Sequence, residues 1–226
     1  GLKILLNPDG VITLEFPHLK HLVDKTLFDT IYHEHFSYFA FLTVERIFNA
    51  HNLTIFDVEE FPIHGGSLRI YVCHATKSAR QPSDRVYKMR KLESDCGFDK
   101  IELYQGFEDK VQSIKRSFLS FLIEKKEIGK SIIGYGAPAK GNTFLNYCGI
   151  RSDFIDFTVD INPTKQGKYL PGSHILIETP KKILEEKPDY ILILPWNIQD
   201  EIIEQLSFVR EWDAKFVTAI PEITVL

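Results

Sequence analysis

The sequence is poor in cysteine, in long apolar runs and in unbalanced charge, and each shortage excludes a class of protein. Its three cysteines, Cys73, Cys96 and Cys148, are far apart and form no C-x-x-C pair. They predict reduced thiols in a cytoplasmic protein, not a disulfide framework or a zinc site. No apolar run approaches the roughly 20 residues of a membrane span. We therefore expect no membrane partner and no signal peptide.

The charge balance gives no reason to expect a nucleic-acid partner. The 27 Lys and Arg are interspersed with 31 Asp and Glu, which gives a formal net charge of −4. A nucleic-acid-binding protein would instead carry a basic patch or stripe. With 44% hydrophobic residues in 226, the chain can bury a substantial core as one large domain or two smaller ones. It begins at Gly1 in sequence that is already patterned, so we expect it to be part of a longer protein.

The first 99 residues predict short helices mixed with antiparallel strands. A helix over 18–28 and a second over 43–52, with Thr43 as its N-cap, follow from apolar spacing and capping preference. The β-rich runs 53–61 and 67–74 are joined by a Pro-Ile-His-Gly-Gly turn and predict two antiparallel strands. Residues 77–99 are polar and predict an irregular segment.

From about residue 100 the pattern becomes that of an α/β domain. A long amphipathic helix is predicted over 100–128, because apolar residues recur at steps of three or four: Leu103, Phe107, Val111, Ile114, Phe118 and Leu122. After Lys130, strands alternate with helices. This alternation predicts a Rossmann-like parallel sheet with both faces covered, preceded by the β-hairpin and helical segment.

A glycine loop follows the first strand of this α/β region. Gly134-x-Gly136-x-x-Ala139 fits the G-x-G-x-x-G/A form, and Asp160 follows the next strand, where a ribose-binding acid is expected. Lys140 and Asn142 add polar groups near the helix N-terminus, which favours a phosphate. A purely structural strand-to-helix turn explains the glycines equally well.

Two further loops are predicted at the carboxyl edge of the same sheet, where ligands bind in open α/β folds. The loop 160–174 contributes polar side chains, and the segment after a later strand contributes Trp196, which either stacks on a base or packs in the core. The polar candidates of the loop are Asn162, Lys165, Gln166 and Lys168.

The run DTIYHEHFSYF, residues 29–39, concentrates titratable groups. It lacks the H-E-x-x-H spacing of a helical zinc site, and an extended chain would put His33 and His35 on one face and Glu34 on the other. A further ligand such as His64 would be needed, so we expect no metal. General acid–base catalysis suits an imidazole beside a carboxylate and phenols. A polar loop whose histidines bond to backbone remains the alternative.

Four motifs taken in order identify a resemblance: FDTIYHEHFSYF, HGGSLRIYV, GYGAPAKGNTFLN and DINPTKQGKYLPGSHI. Together they resemble the S-adenosylmethionine-dependent C-methyltransferases of deoxysugar biosynthesis, which act on nucleotide-linked keto-sugars. Members of that family have an N-terminal zinc-binding domain, a central methyltransferase domain and a C-terminal Rossmann-like domain. The opening LKILLNPDGVITLEFP resembles the last strands of a class I methyltransferase domain.

The resemblance implies three segments for this chain. Residues 1–28 would end the S-adenosylmethionine-binding methyltransferase domain, 29–99 would hold the active-site motif and antiparallel strands, and 100–226 would form the long helix and the substrate-binding α/β domain. The methyl donor would be bound mainly by the missing N-terminal part, and zinc would occur only there. We expect this chain to be inactive by itself.

The resemblance also implies roles for individual residues. His35 would be the general base that removes a proton from a carbon next to the ketone, Tyr32 would support His35 or the enolate oxygen, and Glu34 or His33 would assist the imidazole. The nucleotide-diphosphate sugar, for example one linked to thymidine diphosphate, would be held by the other candidates. These are His64, Gly65, Gly66, Ser67, Gly134, Gly136, Lys140, Asn142, Asn162, Lys165, Gln166, Lys168 and Trp196.

Two other functions fit parts of the sequence. A nicotinamide-dinucleotide oxidoreductase would use the Gly134 loop and Asp160. A non-catalytic nucleotide-sugar binding module would use the loops but would not need the paired base and carboxylate of residues 33–35. A binding assay that compares NAD with a nucleotide sugar separates the first of these from the methyltransferase.

Overall fold

A computed structural model describes residues 1–76 and 80–226, with only the backbone of His64. The chain forms two compact units, one of residues 1–25 with 36–108 and one of residues 26–35 with 109–226. The predicted division after residues 28 and 99 stays a prediction. In the structure, the first part of the histidine-rich run belongs to the second unit.

The first unit is built on a three-stranded antiparallel sheet with strand order β1-β3-β2. The two strands predicted on either side of the glycine turn pair as expected, and β1 adds to the other edge of β3. Its helices and strands are α1 (Leu2–Leu5), β1 (Ile12–Pro17), α2 (Leu19–Asp24), α3 (Phe41–Ala50), β2 (Leu53–Phe61), β3 (Ser67–His74), α4 (Asp84–Asp95) and α5 (Glu102–Gln105).

Helix α4 corrects the prediction that residues 77–99 are irregular. Val86 and Met89 are its buried apolar residues, and the third buried position of the helix is Glu93. An acid at a core position breaks the apolar stripe by which an amphipathic helix is recognised in a sequence. The pattern therefore concealed the helix; residues 77–79 lie outside the described residues.

Glu93 also replaces the predicted cap of α3. The helix begins at Phe41 and not after Thr43, and the Glu93 carboxylate accepts hydrogen bonds from the N–H groups of Phe41, at 2.7 Å, and Leu42, at 2.9 Å. These are two of the amides that a helix start leaves unsatisfied. Since the cap comes from a residue 52 positions away from Phe41, no local motif announces it.

The second unit contains a six-stranded sheet of order β6-β5-β4-β7-β8-β9. The first five strands run parallel and the last is antiparallel, which confirms the predicted Rossmann-like α/β fold. Its elements are α6 (Phe107–Glu127), β4 (Ile132–Tyr135), α7 (Ala139–Cys148), β5 (Thr158–Val159), β6 (Ile177–Glu178), α8 (Lys182–Glu186), β7 (Tyr190–Ile193), α9 (Gln199–Gln205), β8 (Lys215–Thr218) and β9 (Thr224–Val225).

The strand order makes β4 and β7 the topological switch point of this sheet. From β4 the chain proceeds outward to β5 and β6, and it then returns to the other side of β4 as β7. In open α/β sheets, the loops that follow such a pair of strands border a crevice beyond the carboxyl ends, where ligands bind; we call the corresponding place in this sheet, after β4 and β7, the crevice. The predicted helix over 100–128 is divided at Gly106 into α5 and α6. Among the described residues, no helix combines the length and apolarity that crossing a bilayer demands.

Candidate active site

The glycines of the β4–α7 loop allow close packing at the switch point. Gly136 has φ +87°, and a Cβ there would lie 2.8 Å from Cδ of Pro195, which follows β7. A Cβ on Gly134 would lie 2.7 Å from Thr158 Oγ1 on the neighbouring strand. Steric fit therefore accounts for both glycines, while contact between this loop and a phosphate stays a prediction.

Gly136→Ala is expected to lower the free energy of unfolding by about 2–3 kcal/mol, because the left-handed conformation and the contact with Pro195 both oppose a side chain. Gly149→Ala is the matched control: Gly149 has φ +78°, and a Cβ there would meet no atom within 4 Å. The difference between the two variants in urea denaturation isolates the contact with Pro195. Equal losses would show that only the backbone angle matters.

Lys140 and Trp196 meet in the crevice. The Lys140 ammonium lies 4.3 Å from the centre of the Trp196 ring and donates a hydrogen bond to Asn197 Oδ1. Burial lowers the pKa of Lys140, and the nearby Asp29 charge opposes that shift. Both side chains are half-buried, so Trp196 is a wall of the crevice and not part of the core. A cation at the start of a helix and an indole beside it suit an anionic, aromatic ligand.

Asp29 is the partner of Trp196 that the sequence did not reveal. The Trp196 indole N–H donates to Asp29 Oδ2 at 2.7 Å. The other oxygen, Oδ1, is buried and has no hydrogen-bond partner among the described residues. Burial raises the pKa of Asp29 to about 6, although the bond from Trp196 and the charge of Lys140 pull it down. A cavity of about 10 Å³, lined in part by Asp29 and Trp196, adjoins the carboxyl group.

The segment 26–35 is held against α7 by aromatic contacts. The ring of Phe28 lies 6.0 Å from that of Phe144 and 5.0 Å from that of Tyr147. Both partners belong to α7, the helix that also carries Lys140. The start of the histidine-rich run and the cation of the crevice are thus positioned by one helix.

His35 is held in a defined tautomer. Its Nδ1 lies 2.9 Å from the carbonyl oxygen of Thr30; because a carbonyl can only accept, Nδ1 carries the proton and Nε2 the lone pair. The Tyr32 ring packs against the imidazole with the ring centres 4.3 Å apart. His35 and Tyr32 are half-buried, whereas His33 and Glu34 are exposed. The Thr30 carbonyl thus occupies the orienting position predicted for Glu34, whose role stays a prediction.

Asp160 and its loop are tied to the glycine loop. The Asp160 carboxylate accepts hydrogen bonds from the N–H groups of Ala137 and Asn162, both at 2.8 Å, and from Lys165 Nζ at 3.1 Å. Gln166 donates to the Asp160 carbonyl at 2.9 Å. These hydrogen bonds occupy the carboxylate oxygens that would otherwise accept hydrogen bonds from ribose hydroxyls. The substrate contacts predicted for Asn162, Lys165 and Gln166 stay predictions.

The remaining candidates are dispersed. Asn142 on α7 has a buried Oδ1 without a partner among the described residues, and Lys168 is exposed. Gly65, Gly66 and Ser67 belong to the first unit, where Ser67 Oγ donates to the Ile63 carbonyl at 3.2 Å. The side chain of His64 lies outside the described residues.

Comparison with known proteins agrees with the resemblance found in the sequence. Residues 62–221 match the family model of the C-methyltransferase C-terminal domain. C-methyltransferase NovU from Streptomyces niveus is 35% identical over 226 residues, which are 100% of this chain and 54% of that protein. The chain thus spans about half the length of this curated relative, and it matches the C-terminal part. Since the family model covers most of the chain, the chain belongs to the C-methyltransferase C-terminal domain family.

Proposed function

We propose that this chain is the substrate-binding and base-carrying part of an S-adenosylmethionine-dependent C-methyltransferase that acts on a nucleotide-diphosphate keto-sugar. The observation that carries the proposal is the His35 imidazole, whose Nδ1 proton is directed to the Thr30 carbonyl. In this tautomer the basic lone pair is on Nε2. Family membership supports the reaction class.

The chemistry requires a ketone in the sugar. An ordinary sugar C–H is far too weak an acid for imidazole, whereas a carbon next to a carbonyl forms an enolate whose charge lies on oxygen. His35 Nε2 takes the proton, and the electron pair of the C–H bond enters the enolate. The enolate carbon then forms a bond to the transferred methyl carbon as the carbon–sulfur bond of the donor breaks. Tyr32, stacked on His35, supports the imidazole or donates to the enolate oxygen.

S-adenosylmethionine supplies an electrophilic methyl group on a sulfonium centre. The Gly134 loop of this chain does not fit the nucleoside part of that donor or of NAD, because the acid expected to bind ribose hydroxyls already holds Ala137, Asn162 and Lys165. We assign the binding of S-adenosylmethionine to the half of the protein that corresponds to the part of C-methyltransferase NovU not matched by this chain. The zinc domain of the family would belong to the same half. The same argument disfavours a nicotinamide oxidoreductase.

The nucleotide diphosphate is assigned to the crevice between β4 and β7. Lys140 provides a partly desolvated cation. The start of α7, where the N-cap Pro138 makes no side-chain cap, adds the amide groups that a helix start leaves without partners inside the helix. Trp196 offers a ring on which a base can stack. Its indole N–H is fixed by Asp29, so the ring is held in place before the ligand arrives.

Lys140→Met is expected to weaken binding of thymidine diphosphate to this chain by tenfold or more, because a charge-assisted hydrogen bond contributes about 1.5–3 kcal/mol. Isothermal titration calorimetry measures the change. Lys115→Met is the matched control, since the Lys115 ammonium also lies over an aromatic ring, that of Tyr147 at 5.1 Å, but at the opposite end of α7. Unchanged affinity in Lys140→Met, or tight binding of NAD by the wild-type chain, would contradict the proposed ligand site.

A further inference from the structure

A second cluster of side chains lies in the first unit and has no part in the proposed reaction. His18, His21 and Glu60 each offer one ligand atom, and these three atoms lie within 4.8 Å of one another. His18 is at the start of α2, His21 one turn further along, and Glu60 near the end of β2. The two imidazole rings pack edge to face with centres 5.4 Å apart.

His18 has the proton arrangement of a metal ligand. Its Nε2 lies 2.6 Å from Oε1 of the fully buried Glu93, which already accepts two helix amides and is therefore held as an acceptor. In the neutral imidazole the Nε2 proton is directed to that carboxylate and the lone pair is on Nδ1. His18 is 1% exposed, and its Nδ1 has no hydrogen-bond partner among the described residues. A carboxylate that orients an imidazole in this way is the usual outer partner of a metal-bound histidine.

The two histidines are fixed by the glycine turn that follows β2. The His18 N–H donates to the Gly66 carbonyl at 3.0 Å. The His21 ring lies directly on Gly66, where a Cβ would be 2.0 Å from the ring carbon Cδ2. Glu60 is exposed and can adjust its side chain. Two ligands are thus held in place and the third is adaptable.

We propose that His18 Nδ1, one nitrogen of His21 and the Glu60 carboxylate form a binding site for a divalent transition-metal ion, of which Zn²⁺ is the representative. Two imidazoles and one carboxylate are an established ligand set for Zn²⁺. In a tetrahedral site, ligand atoms about 2.0–2.1 Å from zinc lie roughly 3.3 Å apart, a spacing that lies within the 4.8 Å limit of the cluster and that the exposed Glu60 side chain can adjust to. The neighbouring Lys20 ammonium is paired with Asp24, which lessens its repulsion of a cation. The ion would connect the start of α2 to the end of β2.

The test uses the metal-free, untagged chain and Co²⁺ as a spectroscopic substitute for Zn²⁺. We expect one equivalent of Co²⁺ to give visible absorption bands of a site with nitrogen and oxygen ligands, to be displaced by Zn²⁺ and to raise Tm. His21→Gln and Glu60→Gln are each expected to weaken binding by tenfold or more. His51→Gln and Glu211→Gln change exposed residues of the same types and are expected to bind as the wild type does.

Three results would overturn the proposal. They are the lack of stoichiometric Co²⁺ binding by the wild-type chain, unchanged affinity in both His21→Gln and Glu60→Gln, and thiolate charge-transfer bands, which would place the metal on a cysteine. Circular dichroism of each variant without metal shows that the fold is retained. Neither substitution changes a residue of the fully buried His18–Glu93 pair, and Glu60→Gln also keeps the contact between the His18 and His21 rings. Loss of binding in Glu60→Gln therefore reports on the ligand itself.

Discussion

His35→Asn, in a protein that also carries the donor-binding half, is expected to lower kcat for methyl transfer by about 10²–10⁴-fold, the usual contribution of a general base. The asparagine amide can still donate to the Thr30 carbonyl in place of Nδ1, so the loop keeps its contact while the basic nitrogen disappears. Affinity for the nucleotide sugar should be retained. Methyl transfer from radiolabelled donor and calorimetric titration of the sugar measure the two quantities separately.

Proton exchange gives a second measurement for His35 that needs no methyl donor. In deuterated water, the wild-type protein should exchange the hydrogen next to the ketone of the bound sugar, and His35→Asn should not. His51→Asn, at an exposed position after α3, controls for the loss of an imidazole. Methyl transfer and exchange at wild-type rates in His35→Asn would remove this residue from the role of base.

Asp29→Asn is expected to stabilise the second unit at neutral pH by up to about 3 kcal/mol. Burial raises the pKa of Asp29 from its ordinary value of 3.8 to about 6, so the folded state holds the proton more tightly than the unfolded state does. Well below pH 4 both states are protonated and the full stability is present. Between pH 4 and 6 the unfolded state releases the proton first, and stability falls as the pH rises. Asparagine keeps an oxygen for the Trp196 N–H but has no proton to lose.

Urea denaturation at pH 4 and at pH 7.5 tests this expectation. The advantage of Asp29→Asn over the wild type should be small at the lower pH and should reach its maximum at the higher pH. Asp153→Asn, an exposed substitution of the same kind, should show no such dependence. If Asp29→Asn were the less stable protein at pH 7.5, the charged carboxylate would have to be compensated in the folded state, and Lys140 would be the group responsible.

The sequence predicts those parts of the fold that depend on near neighbours. The hairpin of β2 and β3 follows from two β-rich runs joined by a glycine turn, and the parallel sheet follows from the alternation of strands with helices. The predicted proximity of Lys140 and Trp196 has the same origin, because parallel strands bring their carboxyl ends to one edge. Periodicity and topology carry this information.

Contacts between residues far apart in the chain could not be predicted in this way. Asp29 and Trp196 are 167 positions apart, and nothing near Asp29 indicates that an indole will desolvate and bond to it. Glu93 lies in a polar segment of the sequence, yet its side chain is buried. Its burial is possible because the carboxylate accepts hydrogen bonds from two amides of α3 and pairs with the His18 imidazole. The loop acid Asp160 has the spacing of a ribose ligand, but the Ala137 amide of the glycine loop binds it, together with Lys165 and the Asn162 amide of its own loop. Such pairings depend on three-dimensional packing that a local pattern does not encode.

Helix α7 connects two parts of the proposed active site. Its first turn carries Lys140, which is proposed to bind the diphosphate. Its later turns carry Phe144 and Tyr147, whose rings pack against Phe28. The length of α7 therefore sets the distance between the proposed diphosphate site and the segment that carries the proposed base. One residue inserted midway along α7 would rotate its two ends by about 100° relative to each other about the helix axis. Under the proposed function, a different sugar is thus more readily accommodated by changing the residues around the site than by changing the length of α7.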